Sequence, residues 1–549
     1  MPVRGGGSYT EPRPRGIRPI IAMTNVTYAA LRPPATRLSA RQTTLLWLLI
    51  AAVLASGVVA AIYRGVKQRP DWGDLQNESR YVWEHGRSAP GTAMFGYLPT
   101  TTFALWPFTA WLPQPLGLIL YVGTNVAAAV LSILIVYRWW FPKELSAQSF
   151  VWPVLLVCAN LQHALQSNQL TLWTLLLCVA GLTLVGRGRD FLGGVFLGLA
   201  ALIKIMPGLL VAYLVFRRRW RALVGVGFAV VAFDLLPSLV FFGWQGTVDE
   251  HRAWLRRAEW HSNRRLIADP LLRVHRHGTN ASLAAVLARW LRAVPDATQQ
   301  VILYGNPPAE VVAQYRATLA PNECLSLDPM PPHESTWAEK RVDISWVPRF
   351  RLANLPANAV WWLWASPLAL GLVVLAWFTW RTRDDPTDWV PVSALWMLAM
   401  FWPSPMTRHY YLAWAFPALV VVWSALVAER SARRRWSPGA ILATVALLAW
   451  VVGVAGLGSK LLRWYGLHLA VLALLTAATA WAWYRQVQIT RRPPTHTPVG
   501  NGACSTSIRT GSPASAEHGN AARSARLPAS SDPTCGCNPS ARAACNVTI

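Results

Sequence analysis

Several clusters in this 549-residue chain combine residue types that can do chemistry. Asp71-Trp72-Gly73-Asp74-Leu75 sets carboxylates just beyond an uncharged run. Facing a cavity at a membrane surface, Asp74 can take the proton of a sugar hydroxyl as a general base; facing water, it is a solvated loop acid. The amides of Gln166-Ser167-Asn168-Gln169 can bond sugar hydroxyls or cap helix ends. Lys204 stands alone in the apolar stretch Leu202-Ile203-Lys204-Ile205-Met206-Pro207. A lysine at such depth costs about 2.5–3.5 kcal/mol on insertion scales, so it faces a cavity or an anion such as a lipid phosphate, or else snorkels to the headgroups. Ser404-Pro405-Met406-Thr407-Arg408-His409-Tyr410-Tyr411 gathers a guanidinium, an imidazole and two phenols. Arginine suits bidentate phosphate contact, and the alternative is an interfacial aromatic belt. Gly278-Thr279-Asn280-Ala281-Ser282-Leu283 with Arg289 reads by itself as a turn and a helix cap. Asp234, within an apolar run, suits a helix-packing hydrogen bond.

These residues must be positioned by membrane helices. Hydrophobic residues make up 53% of the chain and charged residues 14%, with mean hydropathy +0.29. A soluble domain carries about 25% charged residues, which excludes a large water-soluble enzyme. The net charge of +26 comes from 51 basic residues of which only five are lysines. Arginines cluster in short runs such as Arg217-Arg218-Arg219 and Arg433-Arg434-Arg435, between apolar stretches. That is the positive-inside pattern of a polytopic membrane protein and not a nucleic-acid-binding stripe. Seven cysteines form no disulfide framework, and Cys535-Gly536-Cys537 with Cys545 lacks the second pair or histidine that a metal site needs, so no metal or cofactor is expected.

The expected architecture is all-α, with about ten full spans and two partial insertions, 98–112 and a 191–216 hairpin carrying Lys204 near its tip. Residues 1–41 read as a disordered basic cytoplasmic arm. Residues 42–243 form an N-terminal membrane module with an outer loop at 64–97. Residues 244–357 form a large extracytoplasmic loop, 358–484 the C-terminal membrane helices, and 485–549 a disordered cytoplasmic tail. Both chain ends then lie inside a multi-pass cell-membrane protein, with the polar clusters on the outer face.

The order of these pieces resembles the polyprenol-phosphate-mannose-dependent mannosyltransferases, glycosyltransferase family 87, of the GT-C fold. The resemblance rests on Asp74-Leu75, Tyr97-Leu98-Pro99, Ser167-Asn168-Gln169-Leu170, the stretch from Gly193 to Pro207, Asn280 and Ser282-Leu283 with Arg289, and Ser404-Pro405 with His409. Leu98 stands where the family has proline, and Arg408 where it has a histidine. The resemblance implies inverting transfer of a hexose, mannose foremost, from a polyprenyl-phosphate donor to a lipid or glycan acceptor on the outer face. It implies Asp74 as general base, Lys204, Arg408 and His409 at the donor phosphate, and Asp71, Tyr97, Gln169, Asn280 and Ser282 at the substrates. Two rival readings are a lipid-linked glycan polymerase or O-antigen ligase, which needs no early loop aspartate, and a transporter of lipid-linked sugars.

Overall fold

The computed structural model describes residues 38–67, 72–87, 97–143, 145–260, 262–268, 282–292, 297–305, 307–328, 337–343, 352–385, 388–405, 407–432, 436–455, 462 and 466–491. The basic arm up to residue 37 and the tail from residue 492 fall outside them.

Uncharged runs become helices at the expected places. Helix α1 (Ala40–Val66) opens on a capping box, with Ser39 accepting from the Gln42 amide and the Gln42 side chain returning to the Ser39 amide. Helix α2 (Trp72–His85) lies across the following loop, and α3 (Pro99–Thr109) and α4 (Gln114–Trp139) carry prolines in their first turns, where no amide partner is lost. Helices α5 (Val151–Gln166) and α6 (Thr171–Gly186) flank the amide-rich turn. Among the described residues, six helical stretches are long and apolar enough to cross a bilayer: Ala40–Val66, Gln114–Trp139, Trp220–Leu255, Ala357–Arg381, His409–Arg430 and Leu467–Gln488. Other uncharged runs form shorter helices. A run free of charge is thus not always one uninterrupted helix, and a short helix wrapped by others need not cross the hydrocarbon unaided.

Residues 190–219 fold as the expected hairpin. Helix α7 (Asp190–Ile203) ends at Lys204, whose extended backbone (φ −142°, ψ 129°) turns the chain into a 3-10 turn at Met206–Gly208 and helix α8 (Leu209–Phe216). The return is closed by Arg219, which lies 3.6 Å from Asp190 at the start of α7. Helix α9 (Trp220–Val230) then rises beside α7. Glycines permit this packing: a Cβ on Gly193 would sit 2.7 Å from the Gly181 carbonyl oxygen on α6, and one on Gly194 would sit 1.8 Å from that of Ala222 on α9. The Gly193–Pro207 motif is therefore a helix wedged between two neighbours at backbone contact, the use that membrane bundles make of small residues.

Proline also shapes the next span. Pro237 has no amide to offer the Phe233 carbonyl, and the chain answers with a π-turn at Val231–Leu235, where the Leu236 amide reaches five residues back to Val231. Helix α10 (Leu236–Trp260) continues beyond it and bends at Gly243 (φ 69°, ψ 179°). Short helices α11 (Asn263–Ala268) and α12 (Leu283–Leu291) follow.

The membrane part is helical as expected, and the segment 244–357 adds a small sheet to it. Strands β1 (Gln299–Gly305), β2 (Glu323–Asp328) and β3 (Trp337–Asp343) form a sheet in the order β2-β1-β3. Strands β1 and β2 are parallel and joined through helix α13 (Ala309–Thr318), while β3 is antiparallel to β1, with Val301 opposite both Leu325 and Arg341. Gln-Val-Ile-Leu-Tyr and the alternating Glu-Cys-Leu-Ser-Leu-Asp are strand sequences on a local reading. Tyr315 of α13 donates to Glu339, and Arg341 bridges Glu339 (2.8 Å) and Glu323 (2.6 Å). The Tyr315 hydroxyl and then the Arg341 guanidinium hold the Glu339 carboxyl below its ordinary range.

Helices α14 (Ala357–Arg381), α15 (Trp389–Ala399), α16 (Phe416–Ala432), α17 (Pro438–Ala455) and α18 (Leu467–Arg491) complete the bundle. Buried tryptophans hold it together by both ends: their rings fill the core while Trp414 donates to the Thr171 carbonyl (3.0 Å), Trp450 to that of Leu156 (2.7 Å) and Trp140 to the Thr183 hydroxyl (2.8 Å).

Candidate functional site

The hairpin tip is the centre of a polar cluster. Lys204 is 6% exposed. Its Nζ lies 3.2 Å from the Tyr411 hydroxyl and 3.4 Å from Gln169 Oε1, and 4.4 Å, 5.3 Å and 5.8 Å from the ring centres of Tyr411, Tyr97 and Tyr410. Tyr97 donates to the same Gln169 oxygen at 2.8 Å. Tyr97, Gln169 and Lys204, which stand far apart in the sequence, thus form one hydrogen-bonded unit. An ammonium held by an amide, a phenol and ring faces is desolvated without having its charge cancelled by them.

The amide turn is built to aim Gln169. Asn168 adopts a left-handed backbone (φ 49°), which asparagine tolerates better than most residues. Its side chain donates to the Ala61 carbonyl of α1 (2.9 Å), and its own carbonyl accepts from Tyr121 of α4 (2.8 Å). Asn168 serves the scaffold and Gln169 points to the lysine.

The segment 404–411 lies along the hairpin. Ser404 Oγ contacts Met206 Sδ in the hairpin turn (3.3 Å), and Tyr411 reaches Lys204. Arg408 and His409 are half-buried between these two contacts. The Asn160 amide of α5 donates to the His409 carbonyl (3.2 Å), and the His409 ring meets the His163 ring edge-on at 4.5 Å, with Gln166 bonded to His163. His163 is a residue that the sequence reading did not single out, although it stands one turn before Gln166.

Asp74 occupies the first turn of α2, on its exposed face. Its neighbours Trp72 and Leu75 are buried in one small apolar cluster with Tyr97, Tyr121, Leu170 and Ile203, the last adjoining Lys204. The helix that carries Asp74 is therefore seated in the same apolar cluster as Tyr97 and Ile203 and packs on α3. One turn on, Glu78 is a buried acid that sequence reasoning passed over. Asp71 and Asn280 lie outside the described residues. Ser282 is the N-cap of α12, accepting from the Ala285 amide (3.2 Å), and α12 packs on α11, whose Asn263 side chain donates to the Pro403 carbonyl (2.7 Å). Arg289 on α12 is buried in the outer segment, and that burial lowers its pKa to about 10, so it stays charged at neutral pH.

Fold and site together define a helical integral membrane protein with a recessed cationic, phenolic and amide cluster formed where a helical hairpin meets the loop before its later helices. Residues 95–320 match the model of glycosyltransferase family 87, and the match indicates a membrane glycosyltransferase. Tyr97, Gln169, Lys204 and Ser282 fall within the matched residues; Asp74, Arg408 and His409 fall outside them. No curated protein and no solved structure gives a match.

Proposed function

We propose that this protein transfers a hexose, mannose foremost, with inversion from a polyprenyl-phosphate donor to a lipid or glycan acceptor on the outer face of the cell membrane. The observation that supports this reading is the Lys204 cluster: an ammonium held by Gln169, Tyr97 and Tyr411 at the turn of a hairpin, with Arg408 and His409 in the segment that leads to Tyr411. In the reaction, the acceptor hydroxyl attacks the anomeric carbon and gives its proton to Asp74. The bond to the phosphate breaks, and the departing polyprenyl phosphate gains charge. Lys204, Arg408 and His409 stabilise that charge, where fixed cations in a water-poor site act most strongly. Tyr97, Gln169, Asp71, Asn280 and Ser282 contact the substrates. The chemistry needs no metal, because fixed cations neutralise the leaving group.

In the proposed topology residues 1–41 and 485–549 are cytoplasmic, and 64–97 and 244–357 face outward between membrane modules 42–243 and 358–484. Arginine clusters at 187–189 and 217–221 hold one end of the hairpin inside and leave Lys204 toward the outer half. A reporter inserted near residue 307 should act outside the cell; cytoplasmic activity would refute the orientation.

The reaction is tested with labelled polyprenyl-phosphate-mannose in isolated membranes, reading glycolipid products. Mannose transfer that stops with Asp74→Asn supports the reading. Full activity of that variant with glycan lengthening points instead to a polymerase or ligase, and movement of the lipid-linked sugar without transfer points to a transporter.

A further inference from the structure

A further buried polar cluster centres on Asp234 and reaches Thr100, three residues after Tyr97. Asp234, 2% exposed, sits in the π-turn ahead of Pro237. Thr100, buried in the first turn of α3, donates its hydroxyl to Asp234 Oδ1. His251, beyond the Gly243 bend, places Nε2 at 2.9 Å from Oδ2 and Nδ1 at 2.8 Å from the Thr247 carbonyl. A carbonyl only accepts, so Nδ1 carries a proton, and one further proton is shared between Nε2 and the carboxyl. A carboxyl inside a span is costly unless its oxygens are occupied, and here two separate pieces of chain, α3 through Thr100 and α10 through His251, occupy them.

We infer that Asp234 is a positioning residue of the transferase site: it ties the first turn of α3 to the span at 220–243 and to the outer extension at 244–255, and so fixes Tyr97 against Gln169 and Lys204. Thr100 lies three residues after Tyr97, with the Thr101 amide closing on the Leu98 carbonyl at 2.9 Å, so a displacement of Thr100 moves the Tyr97 backbone with it. The π-turn gives the carboxyl its aim. A regular helix through Pro237 would lack the extra residue in that turn and would rotate position 234. This inference rests on the proposed function only in calling the Tyr97 cluster a substrate site.

The test uses the full-length protein in detergent or nanodiscs and has two arms. In the first, hydrogen exchange is followed over residues 97–105, which needs no sugar donor. Thr100→Val and Asp234→Ala should quicken exchange there by about tenfold, the worth of one buried hydrogen bond. Asp234→Asn should stay close to wild type, because the amide oxygen still accepts from Thr100 and its NH2 donates to neutral His251. In the second arm, Thr100→Val should raise the donor KM about tenfold with little change in kcat, and the Tyr97→Phe background should absorb most of that effect, as coupled sites do. Unchanged exchange in both Thr100→Val and Asp234→Ala overturns the anchoring. A kcat loss in Asp234→Asn as deep as in Asp234→Ala overturns it too, because the carboxyl would then be acting in the chemistry. If the wild type transfers no sugar from any polyprenyl-phosphate donor, the proposed function falls while the exchange arm still decides the anchoring.

Discussion

The two ends of the 190–219 hairpin treat charge in opposite ways. At the end where the chain enters and leaves, Arg217 donates to the Thr382 carbonyl at 2.6 Å, Arg219 lies 3.6 Å from Asp190, and the Arg187 guanidinium sits 3.9 Å above the Trp139 ring. Those partners are a helix C-terminal carbonyl, a carboxylate and an interfacial ring, which are what anchor a membrane protein. At the tip, Lys204 is held by one amide oxygen, one phenol and three ring faces. One end uses cations to fix helices; the other gathers polar and aromatic side chains from distant segments around the cation proposed to meet the donor phosphate. The lesson is that a basic residue in a membrane protein is read from its partners, since both kinds look alike in sequence.

Substitutions can break or sharpen that contrast. The largest effect belongs to Asp74→Asn, expected to cut turnover by about 10³-fold while leaving donor binding nearly intact, since general bases contribute about 10²–10⁴-fold; turnover and donor affinity measured on one preparation check it. Lys204→Met should cost about 10²-fold in turnover and weaken donor binding as well, the scale of one lost charge-stabilising contact. Its counterpart, Arg217→Met, should leave turnover per folded molecule unchanged yet destabilise the protein by about 1.5–3 kcal/mol, the range for a charged hydrogen bond. If the arginine variant loses as much turnover as the lysine variant, the division between the two ends is wrong. Tyr411→Phe removes one hydrogen bond of the Lys204 ammonium and should raise the donor KM by about tenfold.

The smallest effect is acid sensitivity in the outer sheet. Glu339 titrates below its ordinary value when folded, so its contribution is complete above the unfolded carboxylate pKa and fades as pH falls through the lower folded one. Acid should therefore loosen α13 from β3 slightly while the hairpin is unaffected, which exchange measured at neutral and acid pH can detect.

Membrane helices were legible where an uncharged run ends in arginine, because both hydropathy and charge report the same boundary: α1 before Arg64, α4 before Arg138, α14 before Arg381. The hairpin was legible for the same reason, with Lys204 marking its turn. The sheet was legible only as separate strand-like stretches at 299–305 and 323–328; its assembly was not, because the third strand, Trp337–Asp343, carries mixed charges and the pairings join stretches far apart in the sequence. The site was legible as separate pieces. Its assembly was not, since Lys204 meets Gln169 across 35 positions and Tyr411 across 207, distances over which local pattern carries no information. Asp234 was read as a helix-packing hydrogen bond, which its contact with Thr100 is. Its second partner, His251, lies past the Gly243 bend, which no periodicity announces.

Helix α7 has 14 residues, about 21 Å at 1.5 Å per residue, against a hydrocarbon core of about 30 Å. In the proposed topology, with the arginine end of the hairpin at one interface, Lys204 would sit several ångströms below the plane of the opposite headgroups. A phosphate that reaches it has to sink below its lipid neighbours, or the bilayer has to dimple around the hairpin tip. Under the proposed function the fold makes bilayer thickness a variable of the reaction: in thin membranes the lipid donor would meet the lysine near its resting depth, and in thick, sterol-stiffened ones each encounter would require a local deformation.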